Sequence, residues 1–379
     1  MDATETYLAV ISDGDPYPAK AGVNNFTNDL SVERAWPDVP NPLTEQDFEY
    51  KFTYRGGTNT ESKSDFFATL GIQGIFLNGV ALYNPSSGSG TVPGTTISGN
   101  DTYNLNAVFF EHQYGIDDAG GHPSEIGNII SNQQGQYHYH DAMFLTSGSW
   151  NNTTFASSNA YFSSDYYTDD YGEVDYIRHA DGHSKIIGFC FDGYPIYGPY
   201  GYTDAEDSSS DVILMTTSYQ TLETEFTGRP YTYNDVVEGS TYNYQMSAGA
   251  FLDDYEYVDG LGTLDDCNGR YCVTPEYPSG TYAYFVLINE DNEPVFPYII
   301  GKYSKEDRTV VNAGYPNDTH NSGGETTPTT GTAGVFNVST LGVSRYVPST
   351  TEIISYDNIN NNDMHNATLA DDFLSLIHI

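Results

Sequence analysis

Positive charge is scarce in this chain of 379 residues: 13 Lys and Arg stand against 52 Asp and Glu, a formal net charge of −39. A surface of that sign repels a phosphate backbone and an anionic membrane face, so nucleic acid is excluded as a partner. Such a chain stays soluble where salt screens it and divalent cations neutralise its carboxylates. Cysteine is sparse as well. Cys190, Cys267 and Cys272 cannot all pair within one chain, and no Cys-x-x-Cys pair offers a thiolate zinc site. Cys267 and Cys272 are near enough in sequence to close a small loop. Long apolar runs are missing too, since no segment approaches the roughly 18 apolar residues of a membrane span, and no membrane insertion is expected. The opening "MDATETYLAVISDGDPYPAK" lacks the basic region and the long apolar core of a signal peptide. It predicts either release without the usual signal, as for a virion part freed by lysis, or a truncated start.

Lys, Glu and Leu rarely recur at helical spacing, whereas 34 Tyr, 19 Phe and 37 Gly favour strands and turns. The expected fold is mainly β: a single sandwich-like domain with long loops and few short helices. Residues 1–69 read as a lead-in around the alternating run "FEYKFTY", a strand by its period of two. Residues 70–303 form the domain, where short apolar runs alternate with Gly-rich turns and "NGVALY" predicts a hairpin turn entering a strand. In "HPSEIGNIIS", residues 122–131, Pro123 near a start and Ile126, Ile129 and Ile130 on one face predict a short helix. Residues 304–350 are a Gly/Thr/Asn-rich linker or arm, and 351–379 an apolar-ended tail, truncated or non-native.

Chemistry concentrates in "GQYHYHDAM", residues 135–143. In a strand, His138 and His140 share one face and Tyr137 and Tyr139 the other. A His-x-His strand presents two imidazoles to one metal, and imidazole suits copper, zinc, nickel and iron. Hydrogen-bonded structural histidines are the competing reading. Six of the nine histidines lie within residues 112–183: His112, His122, His138, His140, His179 and His183. Cys190, between bulky apolar neighbours, lacks the small residues of a nucleophile elbow. "SDGDPYP", "EDSSSD" and "NEDNEP" place acidic oxygens at alternate or near-alternate positions, yet none matches an EF-hand, and solvated acidic turns account for them better than calcium does.

The segments "DDAGGHP", "GQYHYHD", "HSKIIGFCFDGYPIYGPYGY" and "LDDCNGRYCVTPEYPSGTYAYFV…FPYIIG" stand in the order of the hallmark blocks of the YHYH-domain family, which the chain resembles over roughly residues 70–303. Its members are secreted or surface proteins of bacteria and eukaryotes, and virion structural proteins of marine cyanobacterial viruses; the viral group is the more similar. The resemblance implies His122, His138, His140, His183 and Asp192 as site residues, with His112 and His179 ranked lower. It also marks departures. Ala283 stands where many cellular members have a histidine, and Ala119 and Lys302 where many have cysteine.

The expected function is therefore that of a virion or extracellular structural and binding protein, its histidines holding a transition metal (copper or zinc), with calcium as a further candidate. Other virion or surface proteins and the host surface are its expected partners, through tyrosine-rich loops that bury much area at low entropy cost, and the protein is expected to be oligomeric. The alternative is a secreted metal-dependent hydrolase or copper oxidase using the same histidines.

Overall fold

The computed structural model describes residues 6–12, 48–60, 62–66, 71–76, 79–90, 103–109, 121–123, 136–142, 178–222, 232–237, 240–245, 247–290, 293–309, 311–312, 351–356 and 377–378. The fold is mainly β, as the composition predicts. Among the described residues, helix is confined to three-residue stretches at 107–109 and Leu252–Asp254. None is long and apolar enough to cross a membrane.

The centre is an eight-stranded mixed sheet. Across it the order is Gly269–Cys272, Thr281–Phe285, Pro195–Tyr197, Ile186–Cys190, Ile72–Phe76, Ala81–Tyr83, Tyr137–Tyr139 and Gly121–Pro123. "NGVALY" makes the hairpin its sequence predicts: the Phe76 N–H donates to Val80 O (2.9 Å) and the Gly79 N–H to Phe76 O (3.0 Å), folding Ile72–Phe76 onto Ala81–Tyr83. "FDGYP" turns the chain from Ile186–Cys190 into Pro195–Tyr197. That turn requires glycine, because Gly193 has a φ of +97° and a Cβ there would lie 2.1 Å from the Thr53 carbonyl oxygen. Two of the pairings are parallel, Ala81–Tyr83 with Tyr137–Tyr139 and Pro195–Tyr197 with Thr281–Phe285.

Side-chain alternation gives the sheet two cores. Ile75, Phe189, Tyr197, Ala283 and Phe285 pack on one face, and Phe76, Leu82, Ile196, Tyr282 and Tyr284 on the other. Leu8, Tyr50 and Phe52 join the first core, with the Tyr50 and Phe52 rings 4.9 Å and 5.1 Å from Phe191. They come from a second, five-stranded sheet of Val311–Asn312, Phe48–Tyr54, Thr6–Ser12, Thr351–Tyr356 and Ile377–His378. The run "FEYKFTY" is thus a strand, as its alternation predicts. Each enclosed ring contributes about 1.5–3 kcal/mol of burial.

One expectation changes and one is left open. His122 and Pro123 lie in a strand paired with Tyr137–Tyr139; the rest of the helix expected within residues 122–131, with Ile126, Ile129 and Ile130, lies outside the described residues. Cys267 and Cys272 do not close a loop. They are free and buried in opposite cores of the sheet. Burial pushes the Cys272 thiol up to about 11 and raises Cys190 well above its usual value. No thiol should therefore react with Ellman's reagent on a timescale of minutes in the native protein, and all three should titrate in guanidinium; a fast native reaction would contradict these enclosed positions.

Candidate metal centre

At the edge of the large sheet, register brings three histidines together. His122 lies directly across from His138 in the antiparallel pair of Gly121–Pro123 with Tyr137–Tyr139, and His140 follows His138 by two residues. Tyr137 and Tyr139 point into the core instead, where the Tyr139 ring meets Phe76 at 5.6 Å. Gly121 makes room for this crossing, since a Cβ would fall 2.4 Å from the Tyr137 ring.

The His138 ring centroid is 4.5 Å from that of His122 and 4.9 Å from that of His140, and one ligand atom from each of the three falls within 4.8 Å of the other two. His138 and His140 are each 3% exposed; His122 is half-buried as a residue. The outer nitrogens fix the chemistry. His138 Nδ1 lies 3.1 Å from Gln136 O, and His140 Nδ1 lies 2.5 Å from Asn84 O. A carbonyl oxygen only accepts, so each Nδ1 carries the proton and each Nε2 keeps a bare lone pair. Those two Nε2 atoms face each other at 3.1 Å. Lone pairs at that distance repel unless a cation or a shared proton lies between them. A metal at ~2.0–2.1 Å from both would subtend an N–M–N angle of about 100°, within reach of tetrahedral coordination. Tautomers locked by acceptors behind the ring are the arrangement metal-binding imidazoles require. These three residues therefore fit a transition metal ion.

The family model described as YHYH protein matches residues 49–300, most of the chain, and spans every element of this centre. The chain belongs to the YHYH family. No curated protein and no solved structure matches it.

The other implied residues of the YHYH domain sit elsewhere. His183 is fully enclosed: its Nδ1 lies 2.7 Å from Ser184 O, its ring packs on Tyr202 at 4.6 Å, and burial holds its pKa down. Asp192 is fully buried and accepts from the Tyr284 hydroxyl at 2.5 Å and the Tyr194 N–H at 3.2 Å; burial pushes its carboxyl up. His179 pairs with Glu276 at 2.6 Å. His112 and Ala119 lie outside the described residues. Ala283 stands five strand positions from Tyr137–Tyr139, roughly 24 Å at ordinary strand spacing, so a histidine there would not reach this centre. Cys190 is enclosed, with its Sγ 3.5 Å from Gln73 O.

Among the described residues one other group has ligand-like proximity, Asp265, Asp266 and Cys267. Its carboxylates already have donors: Asp265 accepts from the Cys267 N–H (2.9 Å) and the Tyr282 hydroxyl (2.8 Å), and Asp266 pairs with Lys63 (2.5 Å). In "EDSSSD", Asp207 likewise accepts from the Ser209 N–H at 2.8 Å, as a self-satisfied acidic turn does. The supporting residues Tyr83, Asn84 and Gln136 carry no sequence signal, because two of them act through main-chain oxygens.

Proposed function

We propose that this YHYH protein is a structural and binding protein of a virion or the extracellular space whose core holds one transition metal ion, copper or zinc, on His122, His138 and His140. The observation that carries the metal is the pair of inward-facing Nε2 atoms at 3.1 Å with both tautomers set by carbonyl acceptors. Three neutral imidazoles suit copper and zinc in preference to magnesium or calcium, which take oxygen donors. Bound there, the ion would pin the edge strand Gly121–Pro123 to Tyr137–Tyr139. The net charge of −39 supports a salt-screened setting outside a cell or on a particle. Tyrosine-rich turns are the surface offered to neighbouring subunits, other virion or surface proteins, or a host surface.

Elemental analysis of the full chain, purified without chelator or affinity tag, is the test. Near-stoichiometric copper or zinc is expected. No metal, and none taken up after incubation with either ion, would overturn the reading.

A further inference from the structure

We propose that Tyr83 is the positioning residue of the three-histidine centre, fixing both the affinity and the coordination geometry of the ion; this deepens the metal reading and rests on it.

Tyr83 touches two of the three ligands. Its ring stacks on His138 with centroids 3.8 Å apart and planes 20° apart, and turns its edge to His140 at 5.8 Å and 83°. The Tyr83 hydroxyl donates to Gln136 Oε1 at 3.1 Å, and the main-chain oxygen of the same Gln136 accepts from His138 Nδ1. The next residue, Asn84, supplies the oxygen that accepts from His140 Nδ1. Tyr83 and Asn84 thus brace both ligands from one strand, placed by the parallel register of Ala81 with His138 and Leu82 with Tyr139.

Each contact constrains a degree of freedom the centre needs fixed. A ring lying flat on His138 blocks rotation of the imidazole about its Cβ–Cγ bond, so Nε2 stays aimed at His140. The hydroxyl bond anchors that ring to the residue that sets the His138 tautomer. Metal coordination withdraws electron density from an imidazole, and the electron-rich face of a phenol stabilises the resulting positive character. Stacking therefore strengthens when the ion is bound, and its loss weakens binding by the factors seen when groups supporting metal ligands are removed.

The experiment compares the wild-type full chain with Tyr83→Leu and Tyr83→Phe. Zinc affinity is read by competition with a chromophoric chelator, geometry by electron paramagnetic resonance of the copper(II)-loaded protein, and fold by melting of the metal-free forms. Tyr83→Leu should bind zinc about 10- to 100-fold more weakly and shift the copper hyperfine pattern. Tyr83→Phe keeps the stack but loses the hydroxyl anchor to Gln136, so it should bind about three- to tenfold more weakly than wild type, less than the loss in Tyr83→Leu, with a smaller shift of the spectrum. A Tyr83→Leu protein that binds within about threefold of wild type with an unchanged spectrum overturns the role of Tyr83 while the metal reading stands. Wild type that binds neither ion overturns the metal reading itself. If Tyr83→Leu fails to fold, Gln136→Met, which frees the hydroxyl but leaves the main-chain acceptor, carries the test: a loss of about three- to tenfold with a shifted spectrum is expected, and unchanged binding and spectrum overturn the proposal.

Discussion

Replacing His138 and His140 together with alanine is expected to lower copper or zinc affinity by more than about a thousandfold, since two of three nitrogen donors disappear. Loss of the ion should also be visible as stability, because an ion that binds only the folded chain stabilises it by an amount that grows with the logarithm of its concentration over Kd, about 2.7 kcal/mol at a hundredfold excess. Isothermal titration on both proteins, with melting in the presence and absence of chelator, measures each quantity. An alanine pair that binds as wild type does would refute the centre.

The same experiment repeated across pH separates the metal from the shared proton that is its rival between the two Nε2 atoms. Metal needs neutral imidazole, and protons compete with the ion for such ligands in the general histidine range, so affinity falls as pH is lowered through it. Stability supplied by the ion is therefore present above that range and lost as pH falls through it. A proton held between His138 and His140 has the opposite sign. It raises the pair's folded-state affinity for protons, so its stability would be present at low pH and lost as pH rises. The slope of melting temperature against pH, with and without ion, decides between the two.

How much of this was legible in the residues differs from one group to the next. The spacing of His138 and His140 reports a shared strand face without any long-range knowledge, and that face is the one the structure uses. His122 joins them through register, which no local pattern encodes; only its place among the histidines of residues 112–183 and the likeness of "GGHP" to a family block point to it in the sequence. The same block contains Pro123, whose local preference for a helix start gives no sign of the ladder to Tyr137. The family blocks give His183 and Asp192 the same standing as the triad, yet they flank the strand Ile186–Cys190, three positions from Tyr137–Tyr139 in the sheet, and each has core partners of its own. Tyr83 and Asn84 were unreadable because a parallel pairing brings them in. Cys267 and Cys272, close in sequence, sit in opposite cores because Cys267 lies in the turn that Asn268 closes with a φ of +64°, whereas Cys272 ends the strand Gly269–Cys272.

Asp192 carries the second large effect: Asp192→Ala is expected to destabilise the fold by about 3–5 kcal/mol without touching the metal centre. The carboxylate accepts from the Tyr284 hydroxyl (2.5 Å), the Tyr194 N–H (3.2 Å) and the Glu306 N–H (3.4 Å), in a fully buried position. Tyr284 cannot turn its proton elsewhere, because its oxygen already accepts from the Lys305 N–H at 2.7 Å. Alanine would leave these donors enclosed and unanswered. The motif recurs: Tyr282 donates to Asp265 and Tyr197 to Glu276. In a chain with only 13 Lys and Arg, tyrosine hydroxyls take the place that cations occupy elsewhere beside interior carboxylates, and this ties the abundance of tyrosine to the excess of acid. Burial nonetheless outweighs these donors and pushes the Asp192 carboxyl up, so its ionised form is disfavoured by folding. Wild type should accordingly gain stability relative to Asp192→Asn as pH is lowered toward the ordinary carboxylate range and lose that advantage as pH rises through the folded value. Urea denaturation of wild type, Asp192→Ala and Asp192→Asn at several pH values measures both effects. A loss under about 1 kcal/mol for alanine would mean that Tyr284 and Tyr194 find other acceptors, and that the buried carboxylate is not what organises the "FDGYP" turn.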